Sequence, residues 1–197
     1  MNNIFLEGKT NVGKTTLILD ICKQLNLDTT GFISVKVCDD ASESVGFLMQ
    51  PYENFTNTVI NINVANKELM FMTGLTFNRS IHLEVFPRLI PYFKEFETKQ
   101  CFIMDEIGGI ELLSVDFYNF ILEVLNSPIF CIGTLKSIDN LHKMYHKCNA
   151  QLSAQLNEQD VLDFRAKLLK ASTVLTLTKD NKEQVKSSII DIVKRST

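Results

Sequence analysis

The residues with the clearest chemical potential stand near the start of the chain. Gly8-Lys9-Thr10-Asn11-Val12-Gly13-Lys14-Thr15 fits the spacing G-x-x-x-x-G-K-[ST]. The apolar run Ile4-Phe5-Leu6 precedes this segment, and Thr16-Leu17-Ile18-Leu19 follows it at the opening of an expected helix. Glycine at both ends permits backbone angles that a side chain forbids, so successive amide N–H groups can turn inward around a phosphate. The helix behind adds unpaired N-terminal donors and the positive end of its dipole. An ammonium at Lys14 can then reach β- and γ-oxygens, and the Thr15 hydroxyl can hold Mg2+. Residues 8–16 therefore read as a cradle for a phosphorylated ligand, with Mg2+ as the expected cofactor.

A second cluster lies in Cys101-Phe102-Ile103-Met104-Asp105-Glu106, four apolar residues followed by two carboxylates. This places both acids at the carboxyl end of a buried strand, where ligands bind in open α/β sheets. Strand alternation sends neighbouring side chains to opposite sides. Asp105 is thus expected to address the Mg2+ shell through a water, and Glu106 to face a water in line with the terminal phosphate. Lys14, Asp105 and Glu106 are the catalytic candidates; Thr15 and Asp105 are the metal candidates.

The surrounding elements are legible from periodicity. Leu17, Ile18, Ile21, Cys22 and Leu25 mark a helix from Lys14 to Leu25. From Gly31 the period is two, with Ile33, Val35 and Val37 opposed to Ser34 and Lys36. Strands are also expected over Ser44–Met49, Thr58–Val64 and Glu68–Met72, and the short connections between them imply antiparallel pairing. Phe86, Leu89, Ile90, Phe93 and Phe96 recur at helical spacing, with Pro91 kinking or restarting the helix. Cys101–Met104 is a strand, Phe117–Leu125 a helix, Ile129–Ile132 a strand and Ser137–His146 a helix. The final unit is a strand over Thr173–Leu177, then a helix opened by Asp180 and Glu183 with Val185, Ile189, Ile192 and Val193 on its buried stripe. Alternating strands and helices imply an α/β fold on a mostly parallel central sheet, with an antiparallel extension from about residues 31 to 73.

Composition narrows the functional classes. A chain of 197 residues is within one-domain range. A net charge of −3 gives no general field for a polyanion, so bulk nucleic acid is not an expected partner, and small charged ligands fit better. Five cysteines without a C-x-x-C pair read as reduced residues, three of them (22, 101 and 131) in apolar runs. No apolar run reaches the ~18 residues of a membrane span, and the chain leads straight into the phosphate loop without room for a leader. The expectation is a cytoplasmic protein, with any protein partner left open.

At this point the chain resembles a known family. Asp105-Glu106-Ile107-Gly108-Gly109-Ile110-Glu111-Leu112-Leu113-Ser114 is similar to the D-E-I-G-x-M-E-L-x-S signature of the small P-loop nucleoside-triphosphatases that include the human cancer-related nucleoside-triphosphatase and its archaeal and bacterial relatives. Gly31-Phe32, Val45-Gly46-Phe47, His82-Leu83-Glu84-Val85-Phe86, Gly133-Thr134 and Thr178-Lys179-Asp180-Asn181-Lys182 agree in order. The resemblance covers nearly the whole chain. It implies the three-layer P-loop fold in one domain over residues 1–197. It also implies Mg2+-dependent hydrolysis of nucleoside triphosphates to diphosphate and phosphate, with broad acceptance of ATP, GTP and others. The family's methionine is Ile110 here and its arginine is Lys182, which cannot reproduce an arginine's stacking or forked phosphate contact. The segment Gln151–Lys170 is longer than the family's usual connection.

Two other readings compete. A nucleotide or nucleoside kinase shares the loop but needs an acceptor pocket and usually an arginine-rich lid, and this chain has four arginines, Arg79, Arg88, Arg165 and Arg195. A nucleotide switch module is approached by Thr178-Lys179-Asp180-Asn181, in which the aspartate falls one place too early for [NT]-K-x-D. Arg79 and Arg88 lie nearest the family-like segments as sources of a charge-neutralising finger. Thr134 suits either a γ-phosphate sensor or a helix cap, and Glu111 either bonds a neighbouring loop or is solvated, the latter being the expectation. Lys136, Lys143 and Lys147 read as a solvated basic face. His142 and His146, at i and i+4 with Cys148 nearby, lack the glutamate of H-E-x-x-H and a fourth zinc ligand.

Overall fold

The computed structural model describes residues 3–75, 79–140, 158–170 and 172–196. Its sheet is built from β1 (Asn3–Glu7), β2 (Thr29–Cys38), β3 (Ser44–Pro51), β4 (Val59–Asn61), β5 (Met70–Thr73), β6 (Ser80–Ile81), β7 (Cys101–Ile107), β8 (Phe130–Leu135) and β9 (Ser172–Thr176). Helices α1 (Lys14–Gln24), α2 (Val85–Leu89), α3 (Val115–Asn126), α4 (Glu158–Lys170) and α5 (Lys182–Ser196) flank it. The strand order is β6-β5-β3-β2-β7-β8-β1-β9, with β4 also paired to β2.

The central strands are parallel. β1 lies between β8 and β9, with Phe5 opposite Gly133 and Val174, while β7 lies between β8 and β2. Side-chain alternation on β7 divides the helices between two faces. Phe102 meets Phe93, Phe96 and Phe120 on one face, whereas Asp105 meets Thr15 at the start of α1 on the other. The resulting aromatic cluster, with Phe32, Phe86 and Phe117 joined to it, packs tilted and edge-on rings of the kind that add about 0.5–1.5 kcal/mol per pair beyond area burial. Below the other face, Leu17, Ile18, Ile21 and Cys22 are buried as the helical stripe predicts. The phosphate loop therefore projects from a rigid two-sided core.

The antiparallel extension is present in β3, β5 and β6. The expected strand over Thr58–Val64 is corrected. It spans Val59–Asn61 only, and it pairs with β2 in parallel. β3 ends opposite Phe32, and the following residues carry the chain across to the other edge of β2, where it must run in the same direction as β2. The strand stops because the Asn61 side chain accepts the Asn63 amide at 2.8 Å, closing a turn that leaves Val64 76% exposed. Pro91 acts as expected: α2 ends at Leu89 and a 3-10 turn over Ile90–Phe93 continues it. At the last helix the cap is a reciprocal pair two residues earlier than the expected Asp180 and Glu183. Asn181 Oδ1 accepts the Thr178 amide at 2.8 Å, and Thr178 Oγ1 accepts the Asn181 amide at 3.3 Å. Cys22, Cys38, Cys101 and Cys131 are free and buried. Residues 138–140 open a helical turn, and the rest of the expected helix to His146 lies outside the described residues.

Candidate active site

The loop between β1 and α1 is shaped by close approach and by left-handed backbone. A Cβ on Gly8 would stand 2.4 Å from the Leu177 carbonyl oxygen, so only glycine lets the loop leave β1 against the segment after β9. Asn11 has φ 62° and Gly13 has φ 90°, which folds the loop back toward the helix start. Gly13 caps α1 without a side-chain hydrogen bond, so the first-turn amides keep their donors for a ligand. Lys9, Thr10, Asn11 and Thr16 are exposed, while Val12, Gly13, Lys14 and Thr15 are half-buried. The Lys14 ammonium spans the loop, donating to the carbonyl oxygens of Gly8 and Lys9, each at 2.9 Å.

The acid pair meets this loop directly. Thr15 Oγ1 donates to Asp105 Oδ1 at 2.9 Å, and Thr134 Oγ1 donates to the same oxygen at 2.8 Å. Thr134 also accepts the Glu106 amide at 2.6 Å, so it belongs to the acid pair, while Ser137 Oγ accepts the Asn140 amide at 3.3 Å. Asp105 is 2% exposed, and burial with the neighbouring Glu106 charge pushes its carboxyl up to about 6, against the two threonine hydroxyls that favour the ionised form. This donor set is all oxygen, and its carboxylate bears an uncompensated buried charge. It fits a hard divalent cation such as Mg2+.

Strand alternation does not separate the two acids. Met104 pairs with Gly133 and Ile107 with Leu135, three steps on β7 against two on β8. The extra residue makes a bulge, and Glu106 sits in it with φ 58°, a left-handed conformation unfavourable for a side chain. The bulge turns the Glu106 carboxylate toward solvent, 45% exposed, while Asp105 stays inside.

Three expectations are corrected here. Glu111 is not solvated: it is 3% exposed, and its Oε1 accepts the amides of Gly108 and Gly109 at 2.6 and 2.7 Å, staking the loop after Glu106. Burial pushes its carboxyl up, opposed by the Lys136 charge. Lys136 is not part of a solvated face, since its side chain is 19% exposed and its Nζ lies 3.7 Å from Glu106 Oε2. Among the arginines it is Arg165, on α4, that reaches the site; Arg79 lies over the Phe47 ring near the sheet edge. Arg165 donates to the Lys136 carbonyl at 2.6 Å and to Glu7 Oε2 at 2.8 Å. Glu7, directly before Gly8, was the available sequence signal, because a carboxylate at a buried strand end needs a cation. Lys182 stands by the other end of the loop, its Nζ 3.8 Å from the position of a Cβ on Gly13. His142, His146, Cys148, Lys143 and Lys147 lie outside the described residues; among the described residues no three His, Cys, Asp or Glu side chains cluster to hold a metal. No helix among them is long and apolar enough to cross a membrane.

The raised Asp105 carboxyl has a measurable consequence. Its folded pKa of about 6 exceeds the ordinary 3.8, so the folded ligand-free protein binds the proton first. Its contribution to stability is fully present below the unfolded value and is lost as pH rises through about 6. Urea titrations of ligand-free protein should show Asp105→Asn gaining on wild type at pH 7 by about 1 kcal/mol or more relative to pH 5. A difference that is flat across that range would contradict the assignment of an uncompensated charge.

A parallel sheet with a glycine-rich loop between β1 and α1, facing an acid pair at the end of β7, is the fold of the P-loop NTPases. Residues 3–190 match the model of the family described as NTPase, and the chain belongs to that family. It is 23% identical over 195 residues to the nucleoside-triphosphatase THEP1 of Aquifex aeolicus, covering 98% of this chain and 99% of that protein. The crystal structure of THEP1 from that hyperthermophile superposes with a TM-score of 0.63 at 20% identity, over 98% of this chain and 99% of the other. The solution structure of a human cancer-related nucleoside triphosphatase gives 0.68 at 19% identity, over the full length of both. These structural likenesses establish the fold.

Proposed function

We propose that the chain is a nucleoside-triphosphatase that hydrolyses NTP to NDP and phosphate with Mg2+. The observation that carries this reading is the hydrogen bond of 2.9 Å between Thr15 and Asp105, which joins the loop to the acid pair 90 residues away. The amides of residues 8–16 surround the phosphates, and Lys14 leaves the Gly8 and Lys9 carbonyls for β- and γ-oxygens. Thr15 and Asp105 would hold Mg2+, which would supply charge neutralisation for the phosphate oxygens. Glu106 orients a water and takes its proton as the water oxygen bonds to the γ-phosphorus. The bond from the γ-phosphorus to its bridging oxygen breaks, and the electron pair leaves with the NDP.

Broad base acceptance is part of this proposal, and the hydrogen bonding of the segment beside the loop supports it. Thr178 and Asn181 are hydrogen-bonded to each other, and Asn181 Nδ2 donates to the Thr176 carbonyl at 2.9 Å, so the polar groups best placed to read a base edge are engaged internally. The test is phosphate release from ATP, GTP, CTP, UTP and dATP, with Mg2+ or EDTA, and with or without nucleosides and monophosphates. The expected result is Mg2+-dependent release from all five, with rates spread over about tenfold, a modest discrimination that packing alone can produce. Transfer of the γ-phosphoryl group to an added acceptor would make the protein a kinase.

A further inference from the structure

Phosphoryl transfer needs a cation where charge spreads over the γ-phosphoryl oxygens, and many P-loop enzymes borrow it from a second chain. Among the described residues, Lys9 of the loop itself is exposed, and four further cations near the loop and the acid pair differ in their commitments. Lys14 is tied to the loop carbonyls. Lys182 lies by Gly13, its Nζ 3.8 Å from the position of a Cβ there. Arg165 is 6% exposed, with one terminal nitrogen on Glu7 and the other on the Lys136 carbonyl.

Lys136 is different. Its main chain is held at both groups: the amide donates to the Ile107 carbonyl at 2.9 Å, and the carbonyl accepts from Arg165 at 2.6 Å. Its ammonium is 3.7 Å from Glu106 Oε2, beyond hydrogen-bond length, and so is near the water-facing carboxylate without being committed to it. A Cβ on Gly109 would meet both Glu111 Oε2 at 2.9 Å and Lys136 Nζ at 3.1 Å, so the stem threads between two glutamates. A fixed backbone beneath an ammonium held beside Glu106 at longer than hydrogen-bond distance is the arrangement a charge-balancing group requires. An arriving γ-phosphate adds negative charge that two carboxylates cannot screen, and it competes for this ammonium.

We propose that Lys136 is a catalytic residue of the hydrolysis argued above: its ammonium supplies, from the same chain, the cation that balances the γ-phosphoryl group as water attacks, and Arg165 is the positioning residue that holds Lys136 in place. The inference rests on the hydrolase reading. Water, the γ-phosphorus and Glu106 exchange bonds and the proton as described; Lys136 forms and breaks none.

The experiment compares wild type, Lys136→Met and Glu106→Gln. For Lys136→Met, turnover falls on the order of 10^2-fold or more, as for loss of one preorganised donor to developing charge. Its affinity for MgADP stays within about threefold, and aluminium fluoride no longer traps MgADP, because the transition-state mimic has lost its cation. Wild-type turnover per chain is constant over a hundred-fold range of protein concentration. Lys136→Met turning over within about threefold of wild type, or trapping MgADP with aluminium fluoride as well as wild type does, overturns the proposal. So does wild-type turnover per chain that rises with concentration, since the cation then comes from a second copy. For Arg165, a Glu7→Gln/Arg165→Met variant avoids an orphaned carboxylate; adding Lys136→Met to it costs little further turnover, whereas fully multiplicative losses contradict the positioning role. Wild type that releases no phosphate defeats the hydrolase reading itself. An active wild type with a slow Glu106→Gln and an unimpaired Lys136→Met defeats this inference alone.

Discussion

Glu106→Gln is expected to bind MgATP as tightly as wild type, within about threefold, and to turn over roughly 10^2–10^4-fold more slowly, the range for removal of a general base. The split arises from the geometry. Thr134 holds the Glu106 amide, and the carboxylate projects outward from the bulge toward solvent. The amide of glutamine keeps the shape and loses the proton acceptor. Binding by fluorescence or calorimetry, beside phosphate release, checks both halves. Unchanged turnover would remove Glu106 from the chemistry. The backbone gives the variant series an internal control: at φ 58° a glycine relieves strain that either side chain incurs, so Glu106→Gly should be inactive yet more stable to urea than Glu106→Gln by about 0.5–1 kcal/mol. An inactive variant that is also more stable has lost chemistry rather than fold.

Lys14→Ala carries the other large effect. It should weaken MgATP binding by roughly 10–100-fold, the equivalent of one or two charge-assisted hydrogen bonds, and lower turnover by about 10^2-fold as well. Both parameters are expected to move because the proposed mechanism has this ammonium meet the phosphates before and during transfer, unlike Glu106. Its bonds to Gly8 and Lys9 in the ligand-free loop add a second cost, since alanine leaves the loop without its internal brace. Nucleotide titration with full affinity would contradict the cradle assignment.

Much of this site is legible in one dimension because its parts are local. The loop from Gly8 to Thr16 is contiguous, and its glycines, lysine and threonine declare their roles by spacing. Asp105 and Glu106 announce themselves by ending an apolar strand. Their meeting with Thr15 follows from the parallel sheet, which brings the carboxyl ends of β1, β8 and β7 to one edge. What escapes the sequence is what depends on tertiary register. The bulge that gives Glu106 its left-handed backbone comes from a one-residue mismatch between β7 and β8 and has no local signature. Glu111 looks like a solvated acid until the amides of Gly108 and Gly109 are seen to converge on it. Arg165 enters from 158 residues beyond Glu7, a meeting that nearness in sequence does not show. Likewise β4 pairs in parallel because the chain crosses β2, a path that short connections do not reveal.

The most direct test of the central claim is hydrolysis of ATP in water enriched in 18O, with both products analysed by mass. Attack by a water held at Glu106 on the γ-phosphorus predicts one 18O in the inorganic phosphate and none in ADP, with the labelled product lost on chelation of Mg2+. Label in ADP, or a γ-phosphoryl group recovered on an acceptor without 18O, would contradict it.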